Sequence, residues 1–257
     1  MRDGPPSGSE QVRTAEVIAA LCLATDLGMR LPFEHGLHST LFAMRLSERL
    51  AVDPETALQT YYGCLLFYVG CTADAEISAE LFEDEALLTH FTPVMFGTGR
   101  QTMTGIMRAL ATSTSPAPVR LLQGASRLPR AGRAHQRHLA AMCEVAQMLC
   151  DQLGMPTSVR ALFLSLTERW DGKGGPAGLK GEELPLALRI IHVARDAAFQ
   201  RLLGGEEHAV RVIRARGGGA SIQRSPKPLL KGPARSWPST RGNRCGNTLW
   251  RLSPIRS

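Results

Sequence analysis

The chain has 257 residues, 44% of them hydrophobic and only 5% aromatic, enough for one helical domain of ordinary size plus an extension and a poor composition for a β-sandwich. The net charge of +7 would suit a nucleic-acid binder, but from Gly217 to Ser257 there are eight Lys or Arg and no Asp or Glu; without that tail 22 basic residues face 23 acidic ones, a net of −1. The basicity belongs to the tail, so the body is expected to make no direct contact with nucleic acid. No apolar run of 18 residues and no apolar leader core occur, which points to a cytoplasmic protein without a membrane partner.

Residues 1–9 are rich in Gly, Pro and Ser and are expected to be disordered. Helical periodicity begins near Gln11, with Val17, Ile18, Leu21, Cys22 and Leu27 at three- and four-residue steps and Gly28 closing the helix. A second helix spans about Glu34 to Leu50, buried through Leu41, Phe42, Met44, Leu46 and Leu50. Asp53 offers an N-cap oxygen, with Pro54 at N1, for a helix running into the apolar segment CLLFYVGC, residues 64–71. Shorter helices are expected at Ala75–Phe82, Asp84–Phe91 and Gln101–Ala111, and a long one at Ala131–Leu153, stopped by Gly154. Thr157 is placed to cap a helix reaching Leu166. After a Gly-rich loop at 168–183, Pro185–Leu203 carries the strongest stripe, through Leu188, Ile191, Ala194, Ala198 and Leu202, and a last helix spans Glu206–Arg216. No segment alternates with period two. The fold class is therefore all-α. A faint echo, His35 fifteen residues before Leu50 and His138 fifteen before Leu153, fits a divergent helical-hairpin duplication.

The six cysteines form no CxxC. Cys64 and Cys71, like Cys143 and Cys150, are seven apart, as on one helix face, and read as small buried thiols on core helices, not a zinc knuckle. His35 and His38, and His135 and His138, stand at i, i+3, which puts two imidazoles on one helix face. They read either as helix-surface or polar-core histidines or as the start of a metal site. His192 and Asp196, at i, i+4, read as a hydrogen-bonded pair.

The most specific segment is ERWDGKGGPAGLKGEELPLALRIIHVARDAAF, residues 168–199. It resembles the signature of the bacterial HD-GYP phosphohydrolases, in which two histidines precede E-R-W-D-G-x-G-Y-P-x-G-L-x-G-x-x-I-P and a helix containing V-A-D follows. Upstream, His35 stands fifteen residues before LAVD, as the first family histidine stands before L-G-L-D, and LLFYVGC at 65–71 corresponds to L-L-H-D-I-G-K. The resemblance spans about residues 10–216 and implies an HD-domain-like helical bundle.

Its departures bear on chemistry. In the family, His and Asp hold metals that activate water against a phosphodiester, usually cyclic di-GMP. Here the His-Asp pair is Phe67-Tyr68, the two histidines before E-R-W are Leu166-Thr167, the Asp of V-A-D is Arg195, and the Tyr of G-Y-P is Gly175. Phe67 coordinates nothing, and Arg195 puts a fixed cation where a metal would sit. The resemblance therefore implies a catalytically degenerate regulatory or ligand-sensing domain in signalling. Arg169, Lys173, Lys180 and Arg195 are the candidate contacts to a nucleotide or other phosphate-containing ligand, and a homodimer is an open possibility. The alternative is an active phosphohydrolase with rearranged ligands. It would draw on His35, His138, His192 and Asp196 for divalent Mn, Fe or Mg ions and on Glu168, Asp171 and Lys173 for catalysis. Proteins of the degenerate type often carry a LuxR-like helix-turn-helix, and none is visible here.

The tail is expected to be unstructured and out of frame. Residues 220–257 have no amphipathic period and no acidic residue and are dense in Arg, Ser, Pro and Gly. Permitted codons for Ala220–Pro226, read two bases on, yield V-D-P-A-V-A, which resembles the segment that follows the same helix in the family. The native chain would then be longer.

Overall fold

The structure, a computed structural model, describes residues 14–29, 31–70, 94–110 and 141–216, with a few isolated positions between 116 and 122. The helices expected at Ala75–Phe82 and Asp84–Phe91, the start of the helix expected from Ala131, His135, His138, Cys71, Cys245 and the tail lie outside the described residues. Those residues hold seven helical runs and no strand: α1 (Thr14–Gly28), α2 (His35–Leu50), α3 (Pro54–Leu65), α4 (Gly99–Leu110), α5 (141–152), α6 (Thr157–Leu162) and α7 (Leu186–Arg216). The all-α expectation holds.

Local chemistry sets the boundaries. Asp53 Oδ1 accepts the Thr56 amide at 2.9 Å, so α3 starts at Pro54 as its cap predicts. α2 stops at Leu50 because Ala51 turns left-handed, and its N–H closes back onto the Glu48 and Ser47 carbonyls. Within α7 the helix breaks at Gly204 and Gly205, the latter at φ 77 and ψ −174, a conformation that a side chain would resist. The two helices expected on either side of residue 204 are thus the two limbs of α7.

α2, α3 and α7 pack against one another at the centre. Leu188, Ile190, Ile191 and Ala194 of α7 are fully buried, with Leu41 and Met44 of α2 and Tyr61, Tyr62 and Cys64 of α3 around them. The approach of α3 is close: a Cβ on Gly63 would stand 2.5 Å from Leu162 and 2.8 Å from Ile191. The expected stripe on α7 holds through Ala198, while Leu202, next to the break, is exposed.

α1 departs from its expected face. Ile18 and Cys22 are buried, but Val17 and Leu27 point outward and Thr25 and Asp26 point in. Asp26 belongs inside because it caps the next helix. Glu34 at the N-cap of α2 makes no side-chain cap, and the Gly36 amide donates instead to Asp26 Oδ2 at 2.9 Å and Oδ1 at 3.2 Å. Thr157 is likewise not a cap but the first residue of α6, after Pro156. Cys22, Cys64 and Cys150 are buried free thiols, and Cys143 is half-buried.

Candidate functional site

Two neighbouring regions carry the residues singled out by the sequence. The first is the Gly-rich loop between the 3-10 turn Phe163–Ser165 and α7. Its polar groups are spent on its own backbone. Glu168 is fully buried, and its Oε1 accepts the amides of Ala177 and, at 3.0 Å, Gly178. Its Oε2 has no hydrogen-bond partner among the described residues. The Thr167 hydroxyl donates to the Gly175 carbonyl. The backbone of Gly174 lies so close to residues 167–169 that a Cβ there would stand 2.4 Å from the Thr167 carbonyl oxygen.

Arg169 ties the loop to the segment before α4. Its Nη1 donates to the Met95 carbonyl and its Nη2 to the Gly97 carbonyl, both at 2.7 Å, while Nε and Nη2 pair with the Asp171 carboxylate at 3.0 and 2.9 Å. Asp171 also accepts the Lys173 amide at 3.2 Å. Burial raises the Asp171 pKa, but the Arg169 hydrogen bonds and charge outweigh it and the pKa lies below the ordinary value. Trp170 is half-buried, with Arg189 5.6 Å above its ring. Lys173 and Lys180 are exposed.

The second region lies beneath, where α7 crosses α2 and α3. Arg195 is 2% exposed. Its Nη1 donates to the Cys64 carbonyl at 2.9 Å, and the guanidinium lies over two rings, 4.0 Å from the centroid of Tyr68 and 4.6 Å from that of Phe67. The helical stop after Leu65 turns these rings onto Arg195. Its Nε and Nη2 find no hydrogen-bond partner among the described residues, an unusual state for a buried charge. Burial alone would lower its pKa; Tyr68, Cys64, Cys22 and Asp26 around it hold it above the ordinary value.

The same cation is felt by His35, His192, Cys22, Cys64 and Asp26. His35 is buried edge-on to Phe199, and burial, with Arg195, His38 and Arg201, lowers its pKa to about 3. His192 is lowered to about 4, first by burial. Its Nε2 lies 3.0 Å from the Leu166 carbonyl, which can only accept, so Nε2 carries the hydrogen. Burial pushes up the Cys22, Cys64 and Asp26 pKa values, with Arg195 opposing in each case.

The structure brings His35, His192, Phe67 and Arg195 together in the core, with the half-buried Tyr68 ring over Arg195. Asp26 belongs with them and was not foreseen; the one trace in the sequence is an acid four residues after Cys22 on the α1 stripe. Asp196, adjacent to Arg195 in sequence, faces elsewhere. Arg216 Nη1 donates to both of its oxygens, at 2.7 Å to Oδ2, and Gln200 Nε2 donates to Oδ1 at 3.2 Å. The expected His192–Asp196 pair is therefore replaced by His192–Leu166 and Asp196–Arg216, because the 3-10 turn before the loop presents the Leu166 carbonyl to His192 and the break at Gly204–Gly205 returns Arg216 to Asp196. Among the described residues no three His, Cys, Asp or Glu side chains converge as a metal would need, and none of their helices is long and apolar enough to cross a membrane.

Comparison with known proteins agrees with this architecture. Residues 109–216 match the family model of the HD domain. Over 204 residues the chain is 24% identical to the 3'3'-cGAMP-specific phosphodiesterase 3 of Vibrio cholerae, an alignment that takes in 79% of this chain and 44% of that protein. A crystal structure of a cyclic GMP-AMP-specific phosphodiesterase of V. cholerae superposes with a TM-score of 0.57 at 20% identity, covering 93% of this chain and 50% of the other. That likeness establishes the HD-type fold. The chain spans about half the length of the relatives it matches.

Proposed function

We propose that residues 10–216 form a catalytically degenerate HD-type domain that binds a phosphate-containing nucleotide, of the cyclic dinucleotide class, and does not cleave it. One observation carries this reading: Arg195, a buried permanent cation, stands among His35, His192 and the Phe67 and Tyr68 rings, where the family resemblance calls for metal ligands. A divalent ion beside a guanidinium in a poorly solvated site meets Coulomb repulsion that two neutral imidazoles do not offset. The residues therefore do not fit a metal pair.

The cation instead suits an anion. Arg195 Nε and Nη2, which have no hydrogen-bond partner among the described residues, are donors for a phosphate oxygen. Exposed Lys173 and Lys180 on the loop above add mobile positive charge. Arg169 has no such role in this reading, because its N–H groups already hold Met95, Gly97 and Asp171. The substrates named for the V. cholerae relatives supply the first ligand to try.

The test is a paired measurement on the purified chain. Calorimetric titration with 3'3'-cGAMP should show binding that Arg195→Met abolishes, and incubation with Mn²⁺, Fe²⁺ or Mg²⁺ should leave the dinucleotide intact. Turnover that His35→Ala abolishes, with two metals bound per chain, would overturn the proposal in favour of a rearranged phosphohydrolase.

A further inference from the structure

The C-terminal limb of α7, Glu206–Arg216, folds back along the limb that carries Arg195. The reversal is made by Gly204 and Gly205 alone, and the closure is polar. Arg216, the last residue of the limb, reaches 20 residues back to Asp196 with both groups buried, at 7% and 2% exposure. Gln200 donates to the same carboxylate, and its Oε1 accepts from His208 Nε2 at 3.1 Å, which ties the middle of the limb into the same network. Apolar anchorage is limited among the described residues: Ala209 is buried and Val210, Val212 and Ile213 are half-buried, while Glu207, Arg211 and Arg214 face solvent. The turn is already at its tightest, since a Cβ on Gly204 would stand 2.7 Å from His208 Cγ.

A short limb on a two-glycine hinge, in which the buried Asp196–Arg216 ion pair and the Gln200 and His208 hydrogen bonds are contacts among the described residues, is a local unit of the kind that opens before the core does. From these features we propose that Glu206–Arg216 is a latched strap: it opens as a unit about Gly204–Gly205 when the Asp196–Arg216 pair is broken, with α2, α3 and the first limb of α7 intact. Helix geometry puts the latch beside the site, because Arg195 and Asp196 are successive residues that project about 100° apart from one turn, toward Cys64 and toward Arg216 respectively.

Hydrogen exchange on the full chain, read by mass spectrometry, tests this without any ligand. Asp196→Asn keeps the side-chain shape and removes the charge. It is expected to speed exchange across 206–216 at least tenfold and to leave 35–50 and 186–200 unchanged. Gly204→Ala approaches from the exposed hinge with the ion pair untouched and should give the same local pattern by displacing His208. It decides the question if Asp196→Asn fails to fold. Unchanged protection of 206–216 in both variants, or equal loss across 35–50 and 186–216, would overturn the proposal.

Discussion

Arg169 and Arg195 stand for two regions of this protein that treat the same side chain in opposite ways. In the Gly-rich loop, Arg169 is half-buried and directs N–H groups to two carbonyls and a carboxylate. In the helical centre, Arg195 is more deeply buried and spends one N–H on Cys64, with ring faces in place of oxygen partners. A guanidinium that is fully engaged is a fastener. One that is buried and under-engaged is costly, and a structure that keeps it has either a structural use for fixed positive charge or a ligand to complete it.

The sharpest way to break the comparison is to remove Arg195. Arg195→Ala should cost about 3–5 kcal/mol in urea unfolding, because it leaves a cavity against the Phe67 and Tyr68 rings. Arg195→Met keeps the stem and the ring contacts and should lie within about 1.5 kcal/mol of the parent while losing ligand binding. Equal and large costs for both would make the charge purely structural. Arg169→Ala should cost about 2–3 kcal/mol and free the 94–97 segment to exchange, from lost charged hydrogen bonds to Met95 and Gly97. Trp170→Ala should cost about 2 kcal/mol, less than a fully buried ring, since Trp170 is half-buried under Arg189.

The remaining test is the pH dependence of the central region. His35 and His192 are held neutral, with pKa values of about 3 and about 4 against an ordinary 6.5. The unfolded chain therefore binds the extra protons as pH falls below 6.5, and each histidine removes about 1.4 kcal/mol of stability per pH unit until its folded pKa is reached. The raised Asp26 and Asp196 act in the opposite sense, gaining stability as pH falls through their folded values toward 3.8. His192→Asn leaves both aspartates in place, so the stability gap between parent and variant should narrow by about that slope between pH 6.5 and 4.5. A constant gap would mean that His192 is solvated or charged in the native state.

Much of the fold was legible because its signals are local. Asp53-Pro54, Gly204-Gly205 and the periodic stripe of α7 act through groups a few residues apart, so sequence spacing alone carries them. The ERWDG loop is of the same kind, with hydrogen bonds from Glu168 to Gly178 and from Thr167 to Gly175 spanning ten residues or fewer. What the sequence by itself determined is thus the all-α class and those boundaries that local groups set, such as the Asp53-Pro54 start of α3 and the Gly204-Gly205 break.

Only the tertiary structure decided what those residues do. Asp26 acquires its role only when α2 packs on α1 and the Gly36 amide needs a cap. Asp196 reads as a partner for His192 until the fold-back at Gly204–Gly205 delivers Arg216 from 20 residues away. Arg195 becomes a buried cation only because Cys64 and the Phe67 and Tyr68 rings, 131 to 127 residues earlier in the chain, close over it. Such partners are chosen by distance in space and by the cost of leaving a charge alone in a core, neither of which is a property of neighbours in sequence.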